Sequence, residues 1–249
     1  MSGRFLLAGH SHVMALGVQN SAPDEPIAAF PIDITGGRVL GLAGPSPRSQ
    51  AYWDAVVQQA EDTTVLLVWN GNQHLSKFLF ATEKPFDFYV AGYPELAIYP
   101  VDLIPETQVR DYLARGNGGL KPLLNRLANV PGCEAIVLGT PPPKGNDALV
   151  RTFVSREMHF VQIARKMGVS VETIPFTDRL IRWKLWLVIQ DLLKETAEAQ
   201  GCRFLPVPET VMDSEGFLKE ELWREDATHA NLEYGRVFWD STLSKVGAS

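Results

Sequence analysis

The run Val65-Leu66-Leu67-Val68-Trp69-Asn70-Gly71-Asn72 decides the fold class of this 249-residue chain. Its first five residues are apolar without interruption, and Asn-Gly-Asn then stops it with residues that favour turns. A strand with one wet face alternates apolar and polar residues. A continuous apolar run signals a strand covered on both faces, as in a parallel sheet. Phe5-Leu6-Leu7-Ala8, stopping at Gly9, has the same character, and so does Ala135-Ile136-Val137-Leu138-Gly139 before Thr140-Pro141-Pro142-Pro143. Arg38-Val39-Leu40-Gly41-Leu42 is a weaker strand candidate, and Phe204-Leu205-Pro206-Val207 closes the series.

Helical patterns separate these runs, over Pro47 to Ala60, Val109 to Leu127 with a break at Gly116-Asn117-Gly118-Gly119, Thr152 to Met167, and Leu180 to Ala199. Strand–helix alternation predicts a layered α/β fold with right-handed crossovers. There is no internal repeat and no obvious linker, so one domain over residues 1–249 is expected. The segment from Lys77 to Pro105 fits the alternation poorly. It is rich in Pro and aromatics (Phe78, Phe80, Phe86, Phe88, Tyr89, Tyr93, Tyr99) and reads either as a packed excursion or as a pocket wall. At the start of the longest helix, Arg179 and Arg182 read as a solvated face and Trp183 and Trp186 as core.

The composition, 45% hydrophobic and 21% charged, excludes a disordered or collagen-like chain. A net charge of −6 argues against a nucleic-acid partner. Two cysteines, Cys133 and Cys202, make no disulfide framework. No apolar run approaches the roughly 20 residues of a membrane span, and the first residues lack the apolar core of a signal peptide. These features lead to the expectation of a cytoplasmic protein.

In an open parallel sheet, ligands bind outside the carboxyl ends of the strands. After the first strand come His10, Ser11 and His12; after the second, Gly44; after the third, Asn72, Gln73 and His74; near the C-terminus, Asp226 and His229. Such residues can perform acyl transfer. A serine hydroxyl is a weak nucleophile until a base takes its proton. His229 can be that base, and Asp226, three residues or about one helical turn earlier and so able to point the same way, can fix its tautomer. Oxyanion donors would be the Asn72 side chain and the backbone N–H groups of Ser11 and Gly44. Taken singly, each residue has a structural reading. Ser11 can cap a helix, Asn72 can serve a turn, and Asp226 can cap the C-terminal helix with His229 on its first turn.

Four motifs in order, Gly9-His10-Ser11-His12, Gly44, Gly71-Asn72-Gln73-His74 and Asp226-Ala227-Thr228-His229, resemble those of the SGNH (GDSL-type) esterases and lipases. The strand ending in Gly139-Thr140-Pro141-Pro142-Pro143 also looks like that family's fourth-strand segment, so the resemblance spans nearly the whole chain. It implies a three-layer α/β/α sandwich of flavodoxin-like type with a mostly parallel sheet. It implies Ser11 as nucleophile, His229 as base, Asp226 as orienting acid, and Ser11, Gly44 and Asn72 as the oxyanion hole. Gly36, Gly37 and Gly41 compete for the glycine's place. Two positions depart from the pattern: His10 stands where the family has Asp, and Gln73 follows Asn72 where Asp is usual. The bracing of the nucleophile loop must therefore differ, and His10, His12 and His74 are candidates for bracing or for substrate contact.

The expected activity is serine-dependent cleavage, or transfer, of an acyl ester. The expected substrate carries an O-acetyl or short acyl group on a carbohydrate or small metabolite, and neither cofactor nor metal is called for. Two alternatives differ in kind. One is a metal-dependent hydrolase using His10-x-His12, with His74 and His229 as further ligands. The other is a non-catalytic ligand-binding module on the same fold. The oligomeric state is not legible.

Overall fold

In a computed structural model, which describes residues 4–93, 95–96 and 101–246, the apolar runs become the middle of one sheet. Its strands are β1 (Arg4–Gly9), β2 (Ala28–Pro31), β3 (Val39–Ala43), β4 (Thr63–Val68), β7 (Glu134–Leu138) and β8 (Arg203–Leu205), in the order β2-β3-β1-β4-β7-β8. A separate parallel ribbon pairs β5 (Phe86–Asp87) with β6 (Asp102–Leu103). In the main sheet every pairing is parallel except β2 against β3. β4 sits between β1 and β7, with Leu6 opposite Val65 and Val65 opposite Ala135. Both of its faces are covered, which is why its apolar run does not alternate.

Among the described residues eight α-helices surround the sheet: α1 (Gln50–Gln58), α2 (Gln73–Ser76), α3 (Glu106–Ala114), α4 (Leu120–Leu127), α5 (Asp147–Val154), α6 (Met158–Lys166), α7 (Arg179–Glu198) and α8 (Leu232–Val246). Leu7, Leu66, Val68 and Ile136 face Val150, Phe160, Phe238 and Trp239 of α5, α6 and α8. Leu6, Val65, Leu67 and Val137 face Tyr52, Leu124, Leu185 and Ile189 of α1, α4 and α7. The result is the three-layer α/β/α sandwich, with two cores separated by the sheet. Burying each of these leucines stabilises the fold by about 1.5–3 kcal/mol.

Several local readings need correction. The edge strand β2 has no counterpart in the sequence reading, because Ala-Ala-Phe-Pro is short and ends in Pro. The helix expected over Thr152 to Met167 is two helices: α5 and α6 are separated at Ser155-Arg156-Glu157, where Glu157 is extended. Asp226 does not cap the C-terminal helix. Asn231 does, its Oδ1 accepting the Tyr234 N–H at 3.0 Å. Arg182 is not solvated. It is fully buried and paired with Asp147, while Trp183 and Trp186 lie in the core. In the aromatic segment, buried Asp87 and Lys184 form an ion pair, and Lys184 also donates to the Phe88 carbonyl at 2.8 Å. Tyr93 meets Trp183 edge-on at 4.6 Å. The excursion thus packs on α7; Tyr99 lies outside the described residues. No helix among the described residues is long and apolar enough to cross a membrane.

Candidate active site

The parallel strands β1, β3 and β4 end side by side, so the loops that follow them meet. β1 ends at Gly9, where an added Cβ would lie 2.2 Å from the Val68 carbonyl oxygen. Only glycine allows the two strand ends to approach this closely. The chain then turns through a single 3₁₀ turn, Ser11–Met14, closed by the Val13 N–H on the His10 carbonyl at 3.0 Å. Ser11 begins that turn half-buried.

Opposite Ser11 stands a loop rather than a helix. Residues 224–229 form a bend closed by the Trp223–Ala230 bridge and by the Arg224 N–H on the His229 carbonyl at 3.1 Å. Asp226 organises it. Its Oδ1 accepts the backbone N–H of Thr228 at 2.9 Å and of His229 at 2.7 Å. Its Oδ2 lies 3.0 Å from His229 Nδ1, and His229 Nε2 lies 2.9 Å from Ser11 Oγ. The Thr228 hydroxyl also reaches His229 Nδ1 at 3.0 Å. The three-residue spacing of Asp226 and His229 therefore comes from an Asx-type turn, not from one turn of helix.

Buried Lys144 and half-buried Glu157 pin this loop from inside. Lys144, only 1% exposed, donates to the carbonyls of Arg224 and Asp226. Glu157, turned aside where α5 and α6 separate, accepts the Ala227 N–H at 2.6 Å. Burial lowers the Lys144 ammonium to about 8 against the pull of Asp226 and Glu157. Burial alone would raise the Asp226 carboxyl. The hydrogen bond and charge of His229, with two backbone N–H groups, outweigh it and hold the carboxyl well below the usual carboxylate range. Asp226 is thus a permanent anion on the Nδ1 side of His229, which leaves Nε2 to accept a proton from Ser11.

Gly36 and Gly37 lie in the turn before β3 and Gly41 lies inside it; Gly44 follows its carboxyl end, beside the Ser11 loop. A Cβ on Gly44 would come within 2.6 Å of the Tyr52 ring. Asn72 precedes α2 at the carboxyl end of β4, where its carbonyl accepts the N–H groups of Leu75 and Ser76.

The two departures from the family pattern have local partners. His10 Nδ1 accepts the Asn70 N–H at 3.2 Å, and Gln73 Oε1 accepts the Gly71 N–H at 3.2 Å. His10 packs on Trp53 and Trp69, and burial followed by the Arg48 charge lowers it to about 4. It is therefore neutral near pH 7 and free to accept. His12 and His74 are 2% and 1% exposed; neither ring nitrogen of His12 has a hydrogen-bond partner, and the His74 ring lies against the Gly71 backbone. Burial first lowers both, His74 to about 3. The His12 ring lies 5.2 Å from that of His229, behind it rather than in solvent. His10 and His12 thus sit in different surroundings. Among the described residues no three or more His, Cys, Asp or Glu side chains are arranged to hold a metal ion.

Arg48 and Tyr52 were not singled out from the sequence, yet they tie the loops together. Arg48 donates through Nε to the Gly9 carbonyl at 2.9 Å and through Nη1 to the Gly44 carbonyl. Tyr52 Oη accepts the Gly9 N–H and donates to the Leu42 carbonyl, both at 3.1 Å. Arg48 precedes the N-cap Ser49 while Tyr52 lies in the first turn of α1, so no helical spacing joins the two in the sequence. Tyr52→Phe leaves two buried backbone groups unpaired, at about 1–3 kcal/mol each. We expect a drop in Tm of several degrees by calorimetry. Arg48→Lys, which keeps the charge but loses the fork, should cost more than tenfold in kcat with little change in KM.

No family model matches the chain, and no curated protein matches it in sequence. Solved structures match it in shape. A catalytic mutant of an acetylxylan esterase from Geobacillus stearothermophilus superposes with a TM-score of 0.55 at 11% identity, covering 99% of this chain and 95% of that one. Phospholipase A1 from Streptomyces albidoflavus NA297 superposes with a TM-score of 0.53 at 13% identity, covering 98% and 99%. At such identities the likeness is one of architecture: the chain has the α/β/α fold on which these ester-cleaving hydrolases are built.

Proposed function

We propose that this chain is a serine-dependent hydrolase of the SGNH kind, cleaving an acyl ester or transferring its acyl group to another alcohol. The observation that carries the reading is the unbroken chain from Ser11 Oγ to His229 Nε2 at 2.9 Å and from His229 Nδ1 to Asp226 Oδ2 at 3.0 Å. Nucleophile, base and orienting acid stand at hydrogen-bond reach in the order acyl transfer needs.

In this mechanism Ser11 Oγ attacks the ester carbonyl carbon as His229 Nε2 takes its proton. The C=O electron pair moves onto oxygen. The Ser11 and Gly44 N–H groups and the Asn72 side-chain amide donate to that oxyanion. When the intermediate collapses, the C–O bond to the alcohol breaks and His229 returns the proton to the leaving oxygen. A water, or a second alcohol, then attacks the acyl-Ser11 ester by the same route. Asp226 stays ionised and stabilises the imidazolium at each stage. The acyl group is a short one on a carbohydrate or small metabolite, the preference formed from the sequence.

The test is p-nitrophenyl acetate hydrolysis by wild type, Ser11→Ala and His229→Ala, with and without EDTA. Turnover that withstands EDTA and vanishes in both variants supports the reading. EDTA-sensitive turnover retained in Ser11→Ala would overturn it.

The pH dependence has a definite sign. A protonated His229 cannot take the Ser11 proton, so activity falls as pH falls. Asp226 is held below the carboxylate range, and His10 and His74 are lowered to about 4 and about 3, so none of them gains a proton between pH 5 and 8. These three groups therefore add no proton to the acid limb of kcat/KM, whereas Glu157, raised by burial, and Lys144, lowered to about 8, hold the 224–229 loop and can shape the profile. An acid limb displaced by His10→Gln would contradict this.

A further inference from the structure

Lys144 is a charged side chain almost sealed from water. It follows the Thr140-Pro141-Pro142-Pro143 run at the end of β7 and is 1% exposed. The Leu218 N–H, on the Pro143 carbonyl at 3.0 Å, and the bridge between Lys144 and Leu218 fix its backbone. Its Nζ lies 5.3 Å from the centres of both the Phe153 and the Trp223 rings. Its hydrogen bonds go to the 224–229 loop, to the Arg224 carbonyl at 2.6 Å and to the Asp226 carbonyl. The two carboxylate oxygens of Asp226 face different partners, Oδ2 lying 3.0 Å from His229 Nδ1 and Oδ1 3.9 Å from Lys144 Nζ.

The charges that face this ammonium come from two directions. Asp226 and Arg224 stand on the loop, and Glu157 stands where α5 and α6 separate, its Oε1 accepting the Ala227 N–H. Asp226 and Glu157 hold the proton on Lys144, and Arg224 opposes them. His229 lies farther on, close enough to act on Glu157. A buried ammonium is costly unless it is paired. Most of the pairing here comes from the loop that carries Asp226 and His229, so the place of the loop and the charge of Lys144 depend on each other.

We propose that Lys144 is a positioning residue: its ammonium, from behind the loop, holds the Asp226–His229 pair in register with Ser11, and activity falls when the ammonium loses its proton. The proposal rests on the hydrolase reading and adds an alkaline control to the same site. A neutral amine keeps its bulk but not its attraction for Asp226. Burial lowers Lys144 to about 8, so the control operates above that pH. A serine, histidine and aspartate acting alone give a plateau there, because the base is already unprotonated. Nor is unfolding the cause. The native chain holds this proton less tightly than the unfolded one, whose lysine value is about 10.4. Releasing it between the two values therefore adds stability rather than removing it.

The experiment measures kcat and KM for p-nitrophenyl acetate from pH 6 to 10, with Tm at each pH, for wild type, Glu157→Gln, Lys144→Met and Lys144→Arg. Lys144→Met should be at least about tenfold slower at pH 7, with KM little changed, and should show no alkaline limb. Wild-type kcat should fall toward that level above pH 8 without a parallel fall in Tm. Glu157→Gln keeps an acceptor for the Ala227 N–H but removes a charge that holds the Lys144 proton, so its alkaline limb should begin at lower pH. Lys144→Arg, which stays protonated throughout, should restore part of the rate and also lack the limb. The His229 ring, followed by NMR without ester, reads the same linkage independently of turnover: a second inflection near pH 8 in wild type, absent from Lys144→Met. The wild-type readings decide even if a Lys144 variant fails to fold. The second inflection with no ester hydrolysed would keep the linkage and remove the hydrolase reading. Turnover that stays flat to pH 10 in wild type, with no second inflection at His229, would overturn the role of Lys144 and leave the hydrolase reading standing.

Discussion

Ser11→Ala is expected to hydrolyse p-nitrophenyl acetate at least about 10⁴-fold more slowly than wild type, with Tm nearly unchanged. The size follows from the role assigned to Ser11 Oγ, the atom that bonds to the acyl carbon and has no substitute nearby. In comparable triads, loss of nucleophile or base removes all but the contribution of the oxyanion hole and binding. His229→Ala should fall as far, and the double variant no further, because groups that act in one step are not additive. Stability should hold because Ser11 is half-buried and gives up a single side-chain hydrogen bond, to His229. That bond is worth about 1 kcal/mol. Parallel steady-state kinetics and calorimetry on the three variants check both halves. A large loss of Tm with a modest loss of rate would mean that Ser11 serves the fold.

Asp226→Asn should lower kcat by about 10²–10⁴-fold and, unlike Ser11→Ala, should also destabilise the protein. The kinetic loss comes from the tautomer. An amide in place of Oδ2 can donate to His229 Nδ1, which moves the ring proton to Nε2, where a base needs its lone pair. The stability loss comes from the same side chain's other contacts: Oδ1 accepts two backbone N–H groups, and buried Lys144 approaches it at 3.9 Å. Because the native state depresses the Asp226 pKa, its stabilising contribution is present above the unfolded value of about 3.9 and lost as pH falls below it. The Tm gap between wild type and Asp226→Asn should therefore be wide at pH 7 and should narrow below about pH 4. A gap independent of pH would show that charge is not what Asp226 contributes. Kinetics and thermal melts across pH 3–8 supply both readings.

The parts of this arrangement that could be read from the sequence are those written locally. Val65 to Trp69 and Phe5 to Ala8 are continuous apolar runs because both faces of the sheet are covered, and their ends fix where the loop residues must gather. That is how Ser11, Gly44 and Asn72 could be placed at neighbouring strand ends before any coordinates. Asp226 and His229 were paired from their spacing, but for the wrong local reason. A helix turn and an Asx-type turn both bring residues three apart together, and the backbone N–H acceptance that distinguishes them leaves no periodic trace.

What stayed hidden depends on contacts across long stretches of chain. Arg48 reaches back to Gly9, Lys144 reaches forward to Arg224 and Asp226, and Glu157 reaches Ala227. Arginine, lysine and glutamate usually lie in solvent, so nothing in their own neighbourhoods marks buried Lys144 and half-buried Arg48 and Glu157 as braces. The split between α5 and α6 was missed for a related reason. Glu157 leaves the helical pattern where it accepts the Ala227 N–H of the 224–229 loop, and a tertiary contact of that kind overrides local propensity.

The central claim is that Ser11 Oγ is a nucleophile activated by His229. The most direct measurement is reaction of the purified protein with a fluorophosphonate, followed by intact mass and peptide mapping. The account predicts one adduct per chain, on the peptide containing Ser11, abolished in Ser11→Ala, strongly slowed in His229→Ala and indifferent to EDTA. Labelling of another residue, or none on a folded protein, would contradict it.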